Sequence, residues 1–416
     1  MIPAALTTDL KSGLTERRPE RRANTVDAAQ DIELSLITDR AAFEALEADW
    51  NALFERAGRP AQVFQTFNWI WHWARHYLSD AEGGIAGLNL SIVTGRRDGK
   101  LIMVWPLVQE RVRGISQIFW MGEPVSQYGD VVIDDVPDAL AVMRAGWDFL
   151  AKHAKGDIVR LRRVRADAAI APVLVEIGAT ITDRQSAPYL DLKSAKSFAE
   201  YEERYSPRAR RNRRRLARRL NEQGGTTFER YKGGKEARAL AITALELKAD
   251  WLKDRGLVSH AISDARMARF FADAAEGATH STNCVVAALK SAGEPAALEV
   301  SFVCKGRLAM HVIVFNLKYE KSGAGVLLLE QSIRDGYGDK LEVYDMLAPG
   351  DNYKLDWSDA TEQVIDFIKP LSLAGHAYGH VYLGFVRTRM KSAMSAMPQS
   401  LRRIMTSGYG ILTSLI

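Results

Sequence analysis

The chain switches repeatedly between two hydrophobic rhythms, and the switches outline its elements. Residues 32–37 (IELSLI) alternate apolar and polar, the period-2 pattern of a half-buried strand. Asp39 then offers a helix N-cap, and Phe43, Leu46, Trp50 and Leu53 follow at helical spacing. Thr66 is placed to cap a second helix, whose Trp69, Trp73 and Tyr77 form one stripe that reads as core. A β-rich block comes next: LNLSIV (88–93), a GRRDGK turn, LIMVWPLV (101–108) and a strand over 115–120 predict a meander. A short strand near 130–133, a helix over 138–153, a strand over 158–161 and a helix over 171–177 complete this part.

A second unit begins near Tyr189. It opens with an arginine-rich helix, then helices over 235–255 and 263–276, then strands over 283–289, 295–304 and 307–315. A glycine-containing loop (321–325) leads into a helix over 326–335, with Gly336 as its stop, and a strand over 341–347 closes the set. Both parts run through helices, an antiparallel meander, a helix and another strand. The pattern predicts an α/β (α+β) protein of two tandem domains, each a mixed, mostly antiparallel sheet flanked by helices. The expected divisions are a disordered tail over 1–30, domains over 31–185 and 186–375, and a basic helical tail over 376–416. The two domains are expected to meet near residue 186 with separate sheets, and only the second carries the glycine loop.

Composition narrows the class. With 416 residues, 47% hydrophobic and 26% charged, the chain has the balance of a globular protein large enough for two cores. Its longest apolar run, 101–108, is far short of the ~18 residues that span a membrane. The opening MIPAALTTDLK lacks the basic start and apolar core of a signal peptide. Cys284 and Cys304 both sit in apolar strand contexts and read as buried free thiols, which fits a reducing compartment. A soluble cytoplasmic protein is the expectation. The net charge of +5 is local: 204–219 holds nine arginines and no acid, leaving −4 for the rest.

The stretch 319–357 is richest in candidate chemistry. A glycine-containing turn running straight into a helix presents backbone N–H groups at a positive dipole end, a place for phosphate. Ser322, Gly323, Ala324, Gly325 and Val326 occupy that place. SGAG is neither a P-loop nor a dinucleotide fingerprint, so an ordinary turn is the alternative. Glu299 lies in an apolar strand opposite in phase to Leu298, Val300 and Phe302, where a carboxylate is exposed, paired or functional. His311 in the next strand reads as a satisfied core histidine or a base. Asp345 sits at a strand's carboxyl end, where ligands of α/β folds collect.

In the arginine helix, Tyr205, Ala209, Leu216 and Leu220 form a narrow stripe, and most arginines lie outside it. Arg210, Arg211, Arg214 and Arg218 are read either as a solvated face or as a grip on an anionic acceptor, a lipid phosphate surface or RNA. RNA ranks last because no aromatic residues interleave the arginines. The pairs His72/His76 and His376/His380 have i,i+4 spacing without the accompanying glutamate or cysteines, so no metal site is expected. No GxSxG nucleophile elbow occurs.

The order meander, glycine loop, helix, strand resembles the core of the GNAT acetyltransferases. More narrowly, FQTFNWIWHW (64–73), RRNRRRLARRL (210–220), FNLKYEKSGAGVLLL (315–329) and YDMLAPGDNYKLDW (344–357) resemble the CelD-like acetyltransferases associated with cellulose and exopolysaccharide synthesis. The tandem architecture is similar to that of FemAB-type transferases, which take their donor from aminoacyl-tRNA. Tyr319 stands where GNAT loops carry a basic or amide residue. The resemblance implies an acyltransferase that moves an acetyl or other acyl group from acyl-CoA to an amine or hydroxyl acceptor, a small molecule or glycan rather than DNA. It places the donor pyrophosphate on 322–326 and a thiolate-protonating tyrosine at Tyr353, while among the candidate bases Glu299 is favoured over Asp345 and His311 because it alone combines charge with an apolar strand. A FemAB-type aminoacyl transferase and a non-catalytic scaffold are the alternatives.

Overall fold

The computed structural model describes residues 31–257 and 259–379. The tails expected over 1–30 and beyond 379 lie outside the described residues. The strands are β1 (Glu33–Ile37), β2 (Asn89–Leu90), β3 (Ile92–Arg97), β4 (Lys100–Trp105), β5 (Leu107–Val112), β6 (Ile115–Trp120), β7 (Val132–Ile133), β8 (Ile158–Arg165), β9 (Thr180–Asp191), β10 (Thr226–Tyr231), β11 (Cys284–Ser291), β12 (Glu294–Cys304), β13 (Arg307–Phe315), β14 (Val343–Asp345) and β15 (Ala360–Pro370). The helices are α1 (Arg40–Ala45), α2 (Glu47–Ala57), α3 (Phe67–Tyr77), α4 (Ala139–His153), α5 (Ala171–Glu176), α6 (Phe198–Glu202), α7 (Pro207–Asn221), α8 (Gly234–Asp254), α9 (His260–Ser263), α10 (Ala265–Glu276), α11 (Ala324–Gly338), α12 (Asn352–Trp357) and α13 (Leu373–Ala377). The fold is mixed α/β, with mostly antiparallel sheets and flanking helices.

Local chemistry sets the helix ends. The Asp39 side chain accepts from the Ala42 N–H, and the Thr66 hydroxyl accepts from Trp69 N–H. Ser206 caps α7 through the Ala209 N–H, with Pro207 in the first turn. The aromatic stripe of α3 is fully buried: Trp69, Trp73 and Tyr77 are all at 0% exposure. One expected stop fails. Gly336 lies inside α11 and is buried against Leu192 and Leu341, where a Cβ would meet methyl carbons at 3.3 Å. It is a packing glycine, and the helix runs on to Gly338.

Each half contains an antiparallel run that ends in one parallel pair across a helix. In the first, β5 and β6 are antiparallel, and β6 pairs with β8 in parallel after α4. In the second, β11, β12 and β13 form the meander, and β13 pairs with β14 in parallel after α11. The halves do not keep separate sheets, as the sequence led us to expect. One eleven-stranded sheet runs β10-β11-β12-β13-β14-β9-β15-β8-β6-β5-β2, beside a four-stranded sheet β1-β3-β4-β7.

The joint is an exchange of strands. β9, which spans residue 186, pairs with β14 through Tyr189–Asp191 and with β15 along the rest of its length. β15, late in the chain, inserts between β9 and β8 of the first half. Neither strand showed in the hydrophobic pattern, because TITDRQSAPYLD and ATEQVIDFIKP are broken by charged residues and proline. β10, equally polar (TTFERY), was missed for the same reason.

Asp345, the last residue of β14, ties the joint. It is 0% exposed and takes hydrogen bonds from Tyr128 Oη (2.9 Å), Arg307 Nε (2.9 Å) and the Leu347 N–H (2.9 Å). Arg165 Nη1 lies 3.7 Å away. Tyr128 and Arg165 belong to the first half and Arg307 to the second. Removing one partner of a buried ion pair strands the other charge. Asp345→Ala is therefore expected to cost about 3–5 kcal/mol of unfolding free energy, read as a lower urea midpoint. A midpoint equal to that of the parent would show that the carboxylate does not hold the halves together.

Candidate active site

β13 and β14 are in register at only three pairs, Arg307–Val343, Leu308–Tyr344 and Ala309–Asp345. Beyond Ala309 the strands part, and the remainder of β13 runs on toward Phe315 paired with β12 only. The opening holds a cleft of 340 Å³. Ile313 and Phe315 of β13 line it, with Gly325, Val326 and Leu329 of α11 opposite. Lys248 and Trp251 of α8 close one side, and Asp351, Tyr353 and Trp357 close the other.

The start of α11 explains the glycines. Residues Leu317–Ser322 form a 3₁₀ turn, and Gly323 then takes a left-handed conformation (φ 69°) as N-cap. A Cβ on Gly323 would meet Leu216 Cδ1 of α7 at 2.8 Å, so this glycine serves the turn and the close approach of α7. A Cβ on Gly325 would lie 3.1 Å from Phe315 Cδ1, at the edge of the cleft. No side chain caps α11, and no acid sits in its first turn. The N–H groups that open a helix lack intrahelical partners and sit at the positive dipole end.

Of the five loop residues singled out from the sequence, Gly325 and Val326 line the cleft. Ala324 is buried, and the buried Ser322 hydroxyl accepts a hydrogen bond from Gln223 Nε2 at 2.9 Å. The uncapped start and the adjoining cleft suit a phosphorylated donor with an extended chain.

The predicted acid–base residues separate. Tyr353 lines the cleft and is 43% exposed, and partial desolvation of its phenol there holds the pKa above the ordinary tyrosine value, so it stays neutral and can donate. Glu299 lies beneath the cleft at 1% exposure. It accepts from Tyr344 Oη (2.6 Å) and Ser301 Oγ (2.5 Å), and burial raises its pKa. Tyr344 is itself buried and lies within electrostatic range of Tyr353.

Asp345 and His311 are engaged away from the cleft. Asp345 is consumed by Tyr128 and Arg307 at the joint between the halves. His311 is packed among Phe64, Trp69, Phe271 and Phe302, and its Nε2–H donates to the Val125 carbonyl at 2.5 Å. Burial depresses its pKa to about 4, which keeps it neutral. It is a core histidine.

Three residues near the cleft escaped the sequence reading. Lys248 continues the stripe Ala237, Ala241, Ala244 and Leu245 of α8, so a lysine at that phase was the available signal. Burial lowers its pKa, and its Nζ lies 4.6 Å from the Trp251 ring centroid. Asp351 stands across from it in the cleft wall. Lys354 is 7% exposed, and Nζ donates to the Leu347 carbonyl at 3.1 Å. Desolvation lowers its pKa to about 8. Among the described residues no carboxylate lies within ion-pair distance of Lys354.

In α7, Arg213 is buried, with Nε 2.8 Å from Glu330 Oε1. Arg210 is half-buried, while Arg211, Arg214 and Arg218 are exposed. His72 and His76 are spent on the His280 carbonyl (2.7 Å) and Asp273 (2.9 Å). No cluster of three or more metal-ligating side chains occurs among the described residues. Both cysteines are buried free thiols, raised by burial, Cys304 to about 11.

Residues 207–355, from the start of α7 into α12, match the family model described as "Acetyltransferase (GNAT) domain". FemX, a solved structure, superposes with a TM-score of 0.56 at 11% identity, covering 84% of this chain and 99% of FemX. At that identity the likeness shows a shared fold. L-PGS from Bacillus licheniformis aligns at a TM-score of 0.47 and 12% identity, over 82% of this chain and 96% of that one. A tandem GNAT protein from the clavulanic acid biosynthesis pathway aligns at 0.43 and 13%, over 82% and 99%. These two are too loose to support an argument. No curated protein matches the chain.

The buried Glu299 has a signature in solution. An unfolded glutamate titrates near ~4.3, whereas the folded carboxyl holds its proton to higher pH. Below that range both states are protonated and the group contributes nothing. Above it the unfolded state releases the proton first, so the folded state loses ground as pH rises. Glu299→Gln removes this penalty and is expected to gain stability over the parent progressively from about pH 4.5 to pH 7. Urea unfolding across that range measures it, and parallel curves would overturn the assignment.

Proposed function

We propose that this protein is an acyltransferase that takes an acyl group from acyl-CoA and passes it to an amine or hydroxyl acceptor. The observation that carries the proposal is the splayed β13/β14 pair, which opens an apolar cleft at the uncapped start of α11. The donor pyrophosphate would rest on the backbone over Ser322–Val326, of which Gly325 and Val326 border the cleft. The pantetheine arm would run past Ile313 and Leu329 toward Tyr353.

Transfer is direct attack of the acceptor on the thioester carbonyl. The acceptor's nucleophilic atom forms the new acyl bond and gives up a proton as the C–S bond breaks. Tyr353, neutral and facing the cleft, donates to the departing thiolate. Glu299 does not touch the acceptor. It holds Tyr344 beneath the reaction site, so its role in this proposal is proton storage behind the tyrosines. Asp351 is the carboxylate that lines the cleft and is the base in contact with the acceptor.

The acceptor class we favour is a sugar or cell-envelope precursor, in line with the resemblance to CelD-like enzymes, and the setting we favour is cytoplasmic. The second reading, an aminoacyl-tRNA donor, draws on the fold shared with FemX and on the arginines of α7. A scaffold without turnover is the third.

Two variants test the first reading. Gly325→Glu places bulk and negative charge at the start of α11, and is expected to lower CoA affinity at least ~100-fold in a calorimetric titration with the fold retained. Equal affinity would remove the site. Tyr353→Phe is expected to lower kcat at least ~100-fold while leaving CoA binding unchanged, because the lost interaction belongs to the transition state. Full turnover in Tyr353→Phe would exclude the phenol as the acid.

A further inference from the structure

We propose that the solvent face of α7 docks the protein on an anionic lipid bilayer. α7 is divided sharply between an anchored side and a charged side. On the anchored side Arg213 reaches Glu330 and lies over the rings of Tyr205 (4.8 Å) and Trp357 (5.1 Å). Leu216 packs on Gly323, and Leu220 is fully buried. On the other side Arg208, Arg211, Arg214, Arg215, Arg218 and Arg219 are exposed. None of these six forms an ion pair among the described residues.

Such a face carries an internal cost. Arg211 and Arg215, Arg214 and Arg218, and Arg215 and Arg219 stand at i,i+4 spacing, where like charges repel. The cost persists in water and is relieved by a polyanion. An inert solvated helix surface would mix signs, and α7 has no acid over its whole length.

Two observations favour a bilayer over nucleic acid. Apolar side chains are exposed where α7 abuts the loop and α11: Leu317 is 36% exposed and Val326 40%. A bilayer surface receives both charge and apolar groups. The sequence beyond 379 is also basic and free of acid, with Arg387, Arg389, Lys391, Arg402 and Arg403, and it adds many Met, Leu and Ile. A single-stranded nucleic acid, in contrast, stacks its bases on exposed rings. The rings beside α7 are covered, Tyr205 by Arg213 and Tyr201 by Arg204.

Docking would bring the start of α11 and the cleft mouth close to the headgroups, because Leu216 of α7 touches Gly323. The docking itself does not depend on what the cleft binds, and its test uses neither donor nor acceptor. The full chain is sedimented with vesicles of phosphatidylcholine alone and of phosphatidylcholine with about 30% phosphatidylglycerol. Binding is expected only to the anionic vesicles and is expected to vanish near about 0.5 M salt. Replacing Arg211, Arg214, Arg215 and Arg218 together by Gln should lower partitioning at least about tenfold, with helix content and melting temperature unchanged. Lysine at the same four positions should retain binding. Indifference of the parent to anionic vesicles overturns the proposal, as does equal binding by the Gln variant. Salt-sensitive binding of bulk tRNA without vesicle binding would assign the face to nucleic acid instead.

Discussion

The buried carboxylate of Asp345 decides where the second half opens and how the two halves join. It closes the three-pair ladder between β13 and β14. Its hydrogen bond from the Leu347 N–H turns the chain aside immediately after the strand, where Leu347 adopts a positive φ of 58°. Arg307, at the start of β13, grips the same carboxylate, so the two strands are clamped at one end and free to diverge at the other. Tyr128 and Arg165 bring the first half to the same point. A charge at 0% exposure is tolerable only because each oxygen is met by donors. The opening of the cleft and the seam between the halves are thus one structural event.

Much of this architecture was legible in the sequence, and the parts that were not share a cause. Periodicity found the aromatic helix α3, the meander β11 to β13 and the helix after the glycine loop, because each has a buried face that repeats at 2 or 3.6 residues. It missed β9, β10 and β15, in which charged residues and proline interrupt the alternation, although Leu190 of β9 and Val364, Phe367 and Ile368 of β15 are buried. Separate sheets were therefore a fair expectation and a wrong one. Candidate chemistry was legible as residue type and not as direction. Glu299 was marked as a carboxylate that is exposed, paired or functional, and at 1% exposure it is paired with Tyr344 and Ser301. Lys248 and Asp351 became visible only when α8 and the 346–351 segment met across the cleft.

Electrostatics add a second constraint around the cleft. The uncapped start of α11, Lys248 in the wall and α7 packed on Gly323 all contribute positive potential. Asp351 is the acid in the lining. Such a site favours negative charge at the start of α11. The lowered pKa values of Lys248 and Lys354 have the same origin, since a buried ammonium is disfavoured where solvent is excluded.

The first half tests this reasoning, because it repeats the topology without the same chemistry. β6 and β8 are also parallel over three register pairs and also enclose a helix. Their last pair is Phe119 and Arg160, where the second half has Ala309 and Asp345. The Arg160 guanidinium lies 4.9 Å from the Phe119 ring centroid and 2.9 Å from Glu123, so bulky side chains stand at the point of divergence. The helix starts differ as well. The N-cap of α4 is Asp138, which makes no side-chain cap hydrogen bond but sets a carboxylate beside the helix start, paired with Arg97 at 2.6 Å. The N-cap of α11 is Gly323, which supplies no anion of its own. The first half therefore fills its strand opening with side chains and sets an ion pair beside its helix start, whereas the start of α11 carries no acid, and for that reason we propose the donor site in the second half.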